Sequence, residues 1–204
     1  MRPLDNDQTA CKSCGNPILL TTAAKNGGKC MPCKGGYRES MEASRRRQED
    51  LKKLHDGPDA IYWRSLVNRV HKGEGFNSLS ESEKLFFAVC ILDGDIYNGG
   101  FYQYFSNSAA DYFSWSAEGL KALGAHVSLS LLEEAKTTLF GPKAVPSDSV
   151  TRNVWFKKLE HSPEWPEIDK KLDALDALYY KYPDSLCDLL EQFAIRNKFW
   201  SSAT

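Results

Sequence analysis

No stretch of eighteen consecutive apolar residues occurs in the sequence, which excludes a membrane-spanning helix of ordinary length. The first residues, MRPLDNDQTACKSC, hold no apolar core of the signal-peptide kind, so the expected location is the cytoplasm. Histidine is scarce: His55, His71, His126 and His161 are the only four, and no two stand at i, i+4. The G-x-S-x-G, phosphate-loop and H-E-x-x-H patterns are missing. These absences remove the usual grounds for hydrolase, nucleotide-binding or zinc-protease chemistry, and no enzymatic activity is expected. Strand-like alternation is almost absent after residue 58, which argues against a sheet as the main scaffold. Charge of one sign is lacking too. The formal net charge is −1, so the chain as a whole has no electrostatic attraction to nucleic acid.

What is present begins with cysteine. Cys11 and Cys14 form one C-x2-C pair and Cys30 and Cys33 a second, with fifteen residues between them. In a reducing compartment this spacing points to a metal before a disulfide. Each pair bends around one side of a cation, and four thiolates complete a tetrahedron with no position left for water. That is a structural Zn2+ site rather than a catalytic one. Gly15, Gly35 and Gly36 follow the pairs, where a tight turn favours a residue without Cβ. So short a segment has no core of its own, so the metal supplies its folding energy. Cys90 and Cys187 fall among apolar residues and are expected to be plain core thiols.

The two halves differ in charge. Residues 1–57 hold eleven Lys/Arg against seven Asp/Glu, whereas residues 58–204 hold fifteen against twenty. The expected division is a zinc knuckle over 1–36, a connector helix over 37–57 and a helical domain over 58–204. The connector, YRESMEASRRRQEDLKKLHD, is polar on every side, as an exposed helix is. Arg45, Arg46 and Arg47 make it locally basic, but Glu42, Glu49 and Asp50 interrupt the run. Direct nucleic-acid binding through it is therefore the lesser alternative.

Beyond residue 58 the apolar residues recur at helical spacing. Trp63, Leu66, Val67 and Val70 mark one helix. Ser80 and Glu83 form a capping box ahead of KLFFAVCIL, a run apolar all round that predicts a central buried helix. Phe113, Ala117, Leu120 and Leu123 mark another, ending at Gly124. Leu131, Leu132, Ala135 and Leu139 mark the next, and Val150, Val154 and Leu159 a further one. Leu172, Leu175, Tyr179 and Tyr182 precede a last stripe of Leu186, Leu189, Leu190 and Phe193. The expected fold is all-α, a compact bundle of about seven helices behind the zinc knuckle.

Two stretches invite a function. In DGDIYNGGFYQYFSN, Asp93 and Asp95 could serve as an acid/base pair or hold a cation with Asn98. No histidine, nucleophile or third ligand accompanies them. The expected reading is a structural corner, with Gly99 and Gly100 turning the chain and Asp95, Asn98, Phe101 and Gln103 fixing it. Residues 160–191 hold nine acids against three lysines. Asp169, Asp173 and Asp176 stand at i, i+4 and i+7 and predict an acidic ridge opposite the Leu/Tyr stripe, joined by Glu164 and Glu167.

The segment from Asn98-Gly99-Gly100-Phe101 through Gln103-Tyr104-Phe105, Asn107, Ala117, Leu120, Leu123-Gly124-Ala125 and the LLEEA run resembles the centre of a bacterial DNA mimic protein family. The resemblance extends over roughly 58–200, and Cys11 to Cys33 are similar to a small zinc knuckle found at the front of bacterial accessory proteins. The family resemblance implies an all-α fold, no known enzymatic activity, possible homodimers, and an acidic surface that occupies the DNA-binding face of a protein partner. The expectation is thus a protein-binding accessory factor whose partner is a basic, DNA-binding protein. The alternatives are an immunity or antitoxin-like protein that neutralises a basic toxin, and a zinc-dependent nucleic-acid-binding regulator using Arg45 to Arg47.

Overall fold

The structure is a computed structural model that describes residues 7–201. The chain divides into two compact units, Met1–Ala60 and Ile61–Thr204. In the first, strands β1 (Gln8–Ala10) and β2 (Pro17–Leu19) pair antiparallel with Thr9 opposite Ile18. Two short helices follow, α1 (Leu20–Lys25) and α2 (Met31–Lys34). Cys11 and Cys30 are the only buried residues among the described side chains of this unit. Its interior is therefore made of sulfur, not of hydrocarbon. The described side chains of helix α3 (Arg38–His55) after Arg38 are exposed, and i,i+4 pairs such as Arg38–Glu42 at 2.8 Å and Arg45–Glu49 at 3.1 Å lie along it. Gly57 and Pro58 end it: Pro58 opens helix α4 (Pro58–Lys72), a position where its missing N–H costs nothing.

The second unit is the expected all-α bundle. After α4 come α5 (Glu81–Ser106), α6 (Phe113–Leu123), α7 (His126–Phe140), α8 (Ser149–Leu159), α9 (Trp165–Tyr179) and α10 (Leu186–Arg196). Helix α5 is the axis, packed against α6, α8, α9 and α10. Its Phe87, Leu92, Ile96, Phe101, Tyr104 and Phe105 are buried with Leu120, Leu132 and Phe156 from its neighbours. The capping box forms as the sequence predicts: Ser80 accepts from the Glu83 N–H, and Glu83 accepts from the Ser80 N–H at 2.9 Å. Glu83 also takes the Tyr62 hydroxyl at 2.9 Å and the Arg69 guanidinium, so one cap ties α4 to α5. At the end of α6, Gly124 adopts a left-handed conformation, as a terminal glycine does.

Three expectations on the helix faces need correction. Val150 and Val154 point to solvent, 73% and 51% exposed. The buried residues of α8 are Arg152 and Phe156. A buried guanidinium is tolerated because carbonyls and a carboxylate surround it, as described below. Cys187 is exposed, while Cys90 is half-buried. Leu186, Leu190 and Phe193 take the inner face of α10, and Cys187 lies off that face. Tyr182 falls beyond the end of α9, with a left-handed φ of 55°.

Candidate metal centre and acidic face

The hairpin and α2 bring the four cysteines together. Cys11 follows β1, and its carbonyl accepts from the Gly15 N–H at 2.8 Å. Gly15 has a φ of 71°, the left-handed conformation that turns the chain back through Cys14. Cys30 is the residue before α2, and Cys33 lies within its single turn. All four Sγ atoms lie within 4.8 Å of one another, with Cys14 and Cys30 3.8 Å apart. Thiolates at about 2.3 Å from a tetrahedral zinc stand about 3.8 Å from each other. The cluster can hold a metal ion.

The thiols respond to one another. The Cys30 N–H donates to Cys11 Sγ at 3.2 Å, and this bond lowers the Cys11 thiol to about 6. The Cys33 thiol is pushed up to about 12, mainly by its hydrogen bond with Cys30 and then by burial. Four sulfurs this close cannot all carry charge unless a cation sits among them.

The stretch around Gly99 and Gly100 is a kink inside α5. Both glycines leave helical geometry, Gly100 with a φ of 76°. Helix α9 supplies the bonds that the kink removes. Asp176 Oδ1 accepts from the Phe101 N–H at 2.8 Å. The Tyr180 hydroxyl donates to the Ile96 carbonyl at 3.0 Å, standing where the helix ladder opens. The Tyr179 hydroxyl donates to Asp93 at 2.9 Å. Asp95 accepts from the Asn107 amide at 3.2 Å, and Gln103 reaches the Asp95 carbonyl at 3.5 Å. Asn98 is exposed. Burial raises the carboxyls of Asp93, Asp95 and Asp176, and a single hydrogen bond to each pulls the other way. Asp93 and Asp95 are thus engaged in holding the corner, and among the described residues neither belongs to a cluster of three metal-ligating side chains.

The kink has a testable requirement. Gly100 combines a left-handed φ with a position where a Cβ would overlap the Asp176 carboxylate. Gly99 is extended, and a Cβ there would meet the Gln103 side chain, most closely its terminal amide oxygen. Gly100→Ala is expected to cost at least about 2 kcal/mol, from the left-handed strain and the loss of the Asp176 bond. Gly99→Ala is expected to cost distinctly less. Urea unfolding of the two variants measures the difference.

The predicted acidic ridge is only partly present. Glu164, Glu167, Asp169 and Asp173 are exposed. Asp176 is not part of that surface: it is half-buried, and its carboxylate turns inward to Phe101. Helical spacing placed it on the ridge, but the broken ladder of α5 recruits it. Lys171 pairs with Glu134 of α7 at 3.2 Å, which leaves Asp169 and Asp173 as the adjacent carboxylates one turn apart.

Sequence reasoning passed over Arg152, the most consequential polar residue of the bundle. Its Nε donates to the Phe105 carbonyl at 2.7 Å, Nη1 to the Pro146 carbonyl at 2.7 Å, and Nη2 to the Asn107 carbonyl at 2.6 Å and Asp111 Oδ1 at 2.7 Å. The neighbouring Asn153 amide donates to the Ser106 carbonyl at 3.1 Å. Two consecutive side chains therefore satisfy the C-terminal end of α5, where helix carbonyls lack partners and the dipole favours a cation. The available signal was the phase of Arg152, which shares a helical face with Phe156 and Leu159.

Neither the curated proteins nor the solved structures contain a match to this chain. The family described as DMP19-like protein matches residues 77–198, more than half of the chain. That span runs from the turn before α5 to the end of α10 and includes the kinked axis, its α9 latch and the Arg152 cap. The chain belongs to the DMP19-like protein family.

Proposed function

We propose that this protein is a non-enzymatic accessory factor of the cytoplasm that binds a basic, DNA-binding protein through the acidic face of α9. The observation that carries the reading is the exposed set Glu164, Glu167, Asp169 and Asp173 on a chain of this family. Asp169 and Asp173 lie about 6 Å apart along the helix axis, close to the spacing of phosphates along a DNA strand. A carboxylate pair at that spacing offers a phosphate-binding surface what it is built to meet. Opposite charge also speeds encounter. The same face would serve an immunity-type role against a basic toxin.

In this reading Cys11, Cys14, Cys30 and Cys33 hold one structural Zn2+. The donor set supports zinc over harder ions, because four thiolates favour a soft or borderline cation. The alternative of nucleic-acid binding through Arg45, Arg46 and Arg47 has less support. Arg45 is paired with Glu49 and Lys53 with Asp50, so the basic stretch is partly neutralised along its own helix.

Affinity capture from the source cell at low salt tests the reading. The expected result is a basic protein that duplex DNA displaces and that elutes as ionic strength rises. Capture of an acidic protein, or of DNA itself, contradicts it.

A further inference from the structure

The acidic face of α9 leads to a pair of exposed aromatic rings. Asp169, Asp173, Asp176 and Tyr180 follow a 4-3-4 spacing and so share one side of the helix. Asp176 turns inward, but Tyr180 remains 46% exposed. Beside it stands Tyr97 of α5, 43% exposed. The two ring centroids lie 5.7 Å apart at 33°, and Tyr179 meets Tyr97 edge-on at 5.8 Å and 63°. The Tyr180 hydroxyl is anchored on the Ile96 carbonyl, so its ring is held in place before any partner arrives.

Carboxylates border this pair. Asp93 lies one turn before Tyr97 on α5, and Asp176 one turn before Tyr180, the residue that caps the end of α9. After burial, Asp93 pushes the Tyr97 phenol up and Asp176 does the same for Tyr180. The rings therefore sit in a negative field. An anionic ligand would be repelled there. A planar, delocalised cation suits it: guanidinium is weakly hydrated, stacks on aromatic faces and pairs with carboxylates. From Asp169 to Tyr180 is about 16 Å along the helix, so acids and rings fit within one ordinary protein footprint.

We propose that Tyr97 and Tyr180 form an anchor for an arginine side chain of the basic protein partner, with the half-buried Asp93 and Asp176 behind the rings adding negative potential without contacting it. The proposal rests on the acidic-face reading and gives that face its aromatic contact. Tyrosine and arginine are among the residues that most often carry binding energy at protein interfaces. Asp169 and Asp173 draw the partner in, and the rings hold one of its residues.

The test titrates the intact chain with acetyl-tetra-arginine amide at low salt, following tyrosine ring resonances by NMR. The peptide is expected to shift the rings of Tyr97 and Tyr180, and tetra-lysine to shift them less. Tyr97→Phe is expected to bind as the native chain does. Tyr97→Ala is expected to bind about 2- to 5-fold more weakly. Shifts confined to residues 164–173, with unchanged affinity in Tyr97→Ala, overturn the anchor but leave the acidic face standing. No shift at either place overturns both. Ring shifts that follow protein concentration without peptide assign the pair to self-association and also overturn the proposal.

Discussion

Replacing Arg152 with methionine is expected to destabilise the helical unit by about 3–5 kcal/mol, the cost of removing one partner from a buried ionic network. Methionine keeps much of the volume, so the loss is polar. Three carbonyls, those of Phe105, Asn107 and Pro146, lose their donor, and Asp111 loses its counter-ion. These groups lie around a side chain with no exposure, so water does not readily replace it. The end of α5 is also left with its negative dipole unanswered. The corresponding fall in melting temperature is about 10 °C. Arg152→Lys is expected to recover little, because one ammonium cannot reach four acceptors. Thermal and urea unfolding followed by circular dichroism measure both variants. A loss under about 1 kcal/mol in Arg152→Met contradicts the network's role.

Stripping metal from the cysteine cluster is expected to unfold the first unit and leave the bundle folded. The unit buries only Cys11 and Cys30 among its described side chains, so it has almost no hydrophobic contribution to fall back on. Structural zinc sites of this kind contribute about 10–16 kcal/mol of apparent binding energy at neutral pH. Elemental analysis is expected to find one zinc per chain. After chelation, amide signals from residues 7–36 are expected to collapse to unfolded positions while those of the bundle persist. Acid acts in the same direction, because each thiolate must release the metal to take up a proton. Cys30→Ala is expected to reproduce the chelated spectrum. Amide dispersion that survives chelation shows that something other than a metal holds this unit.

Local features of the chain were readable before the structure. The C-x2-C spacing works over a few residues, and the geometry of four thiols follows from it. The Ser80–Glu83 box and the Gly99-Gly100 break are likewise local, since caps and glycine conformations depend on near neighbours. The bundle's seven helices follow from periodicity. What periodicity does not say is which face meets which neighbour. On α8 the aliphatic Val150 and Val154 go outward and Arg152 inward, because the end of α5, more than forty residues earlier, needs donors. Asp176 fits an acidic ridge on spacing alone. It leaves that ridge because Phe101, seventy-five residues away, lost its helix partner at the kink. Cys187 lies outside for the same kind of reason: the apolar faces of its neighbours Leu186 and Leu190 were already turned to the core. The misses at Arg152 and Asp176 each concern a contact between distant segments.

The corner at Gly99-Gly100 holds the fold and fixes the Tyr97–Tyr180 rings, whereas the exposed acids of α9 are the surface proposed to attract the partner. Affinity of the captured partner for two variants tests this directly. Asp169→Asn with Asp173→Asn removes exposed charge from the face, whereas Asp95→Asn changes a corner residue that asparagine can replace in its bond to Asn107. The predicted result is at least about a tenfold loss for the face variant, from two interfacial charges, and an unchanged affinity for the corner variant with both proteins folded. Full affinity in the face variant and a loss in the corner variant would contradict the account.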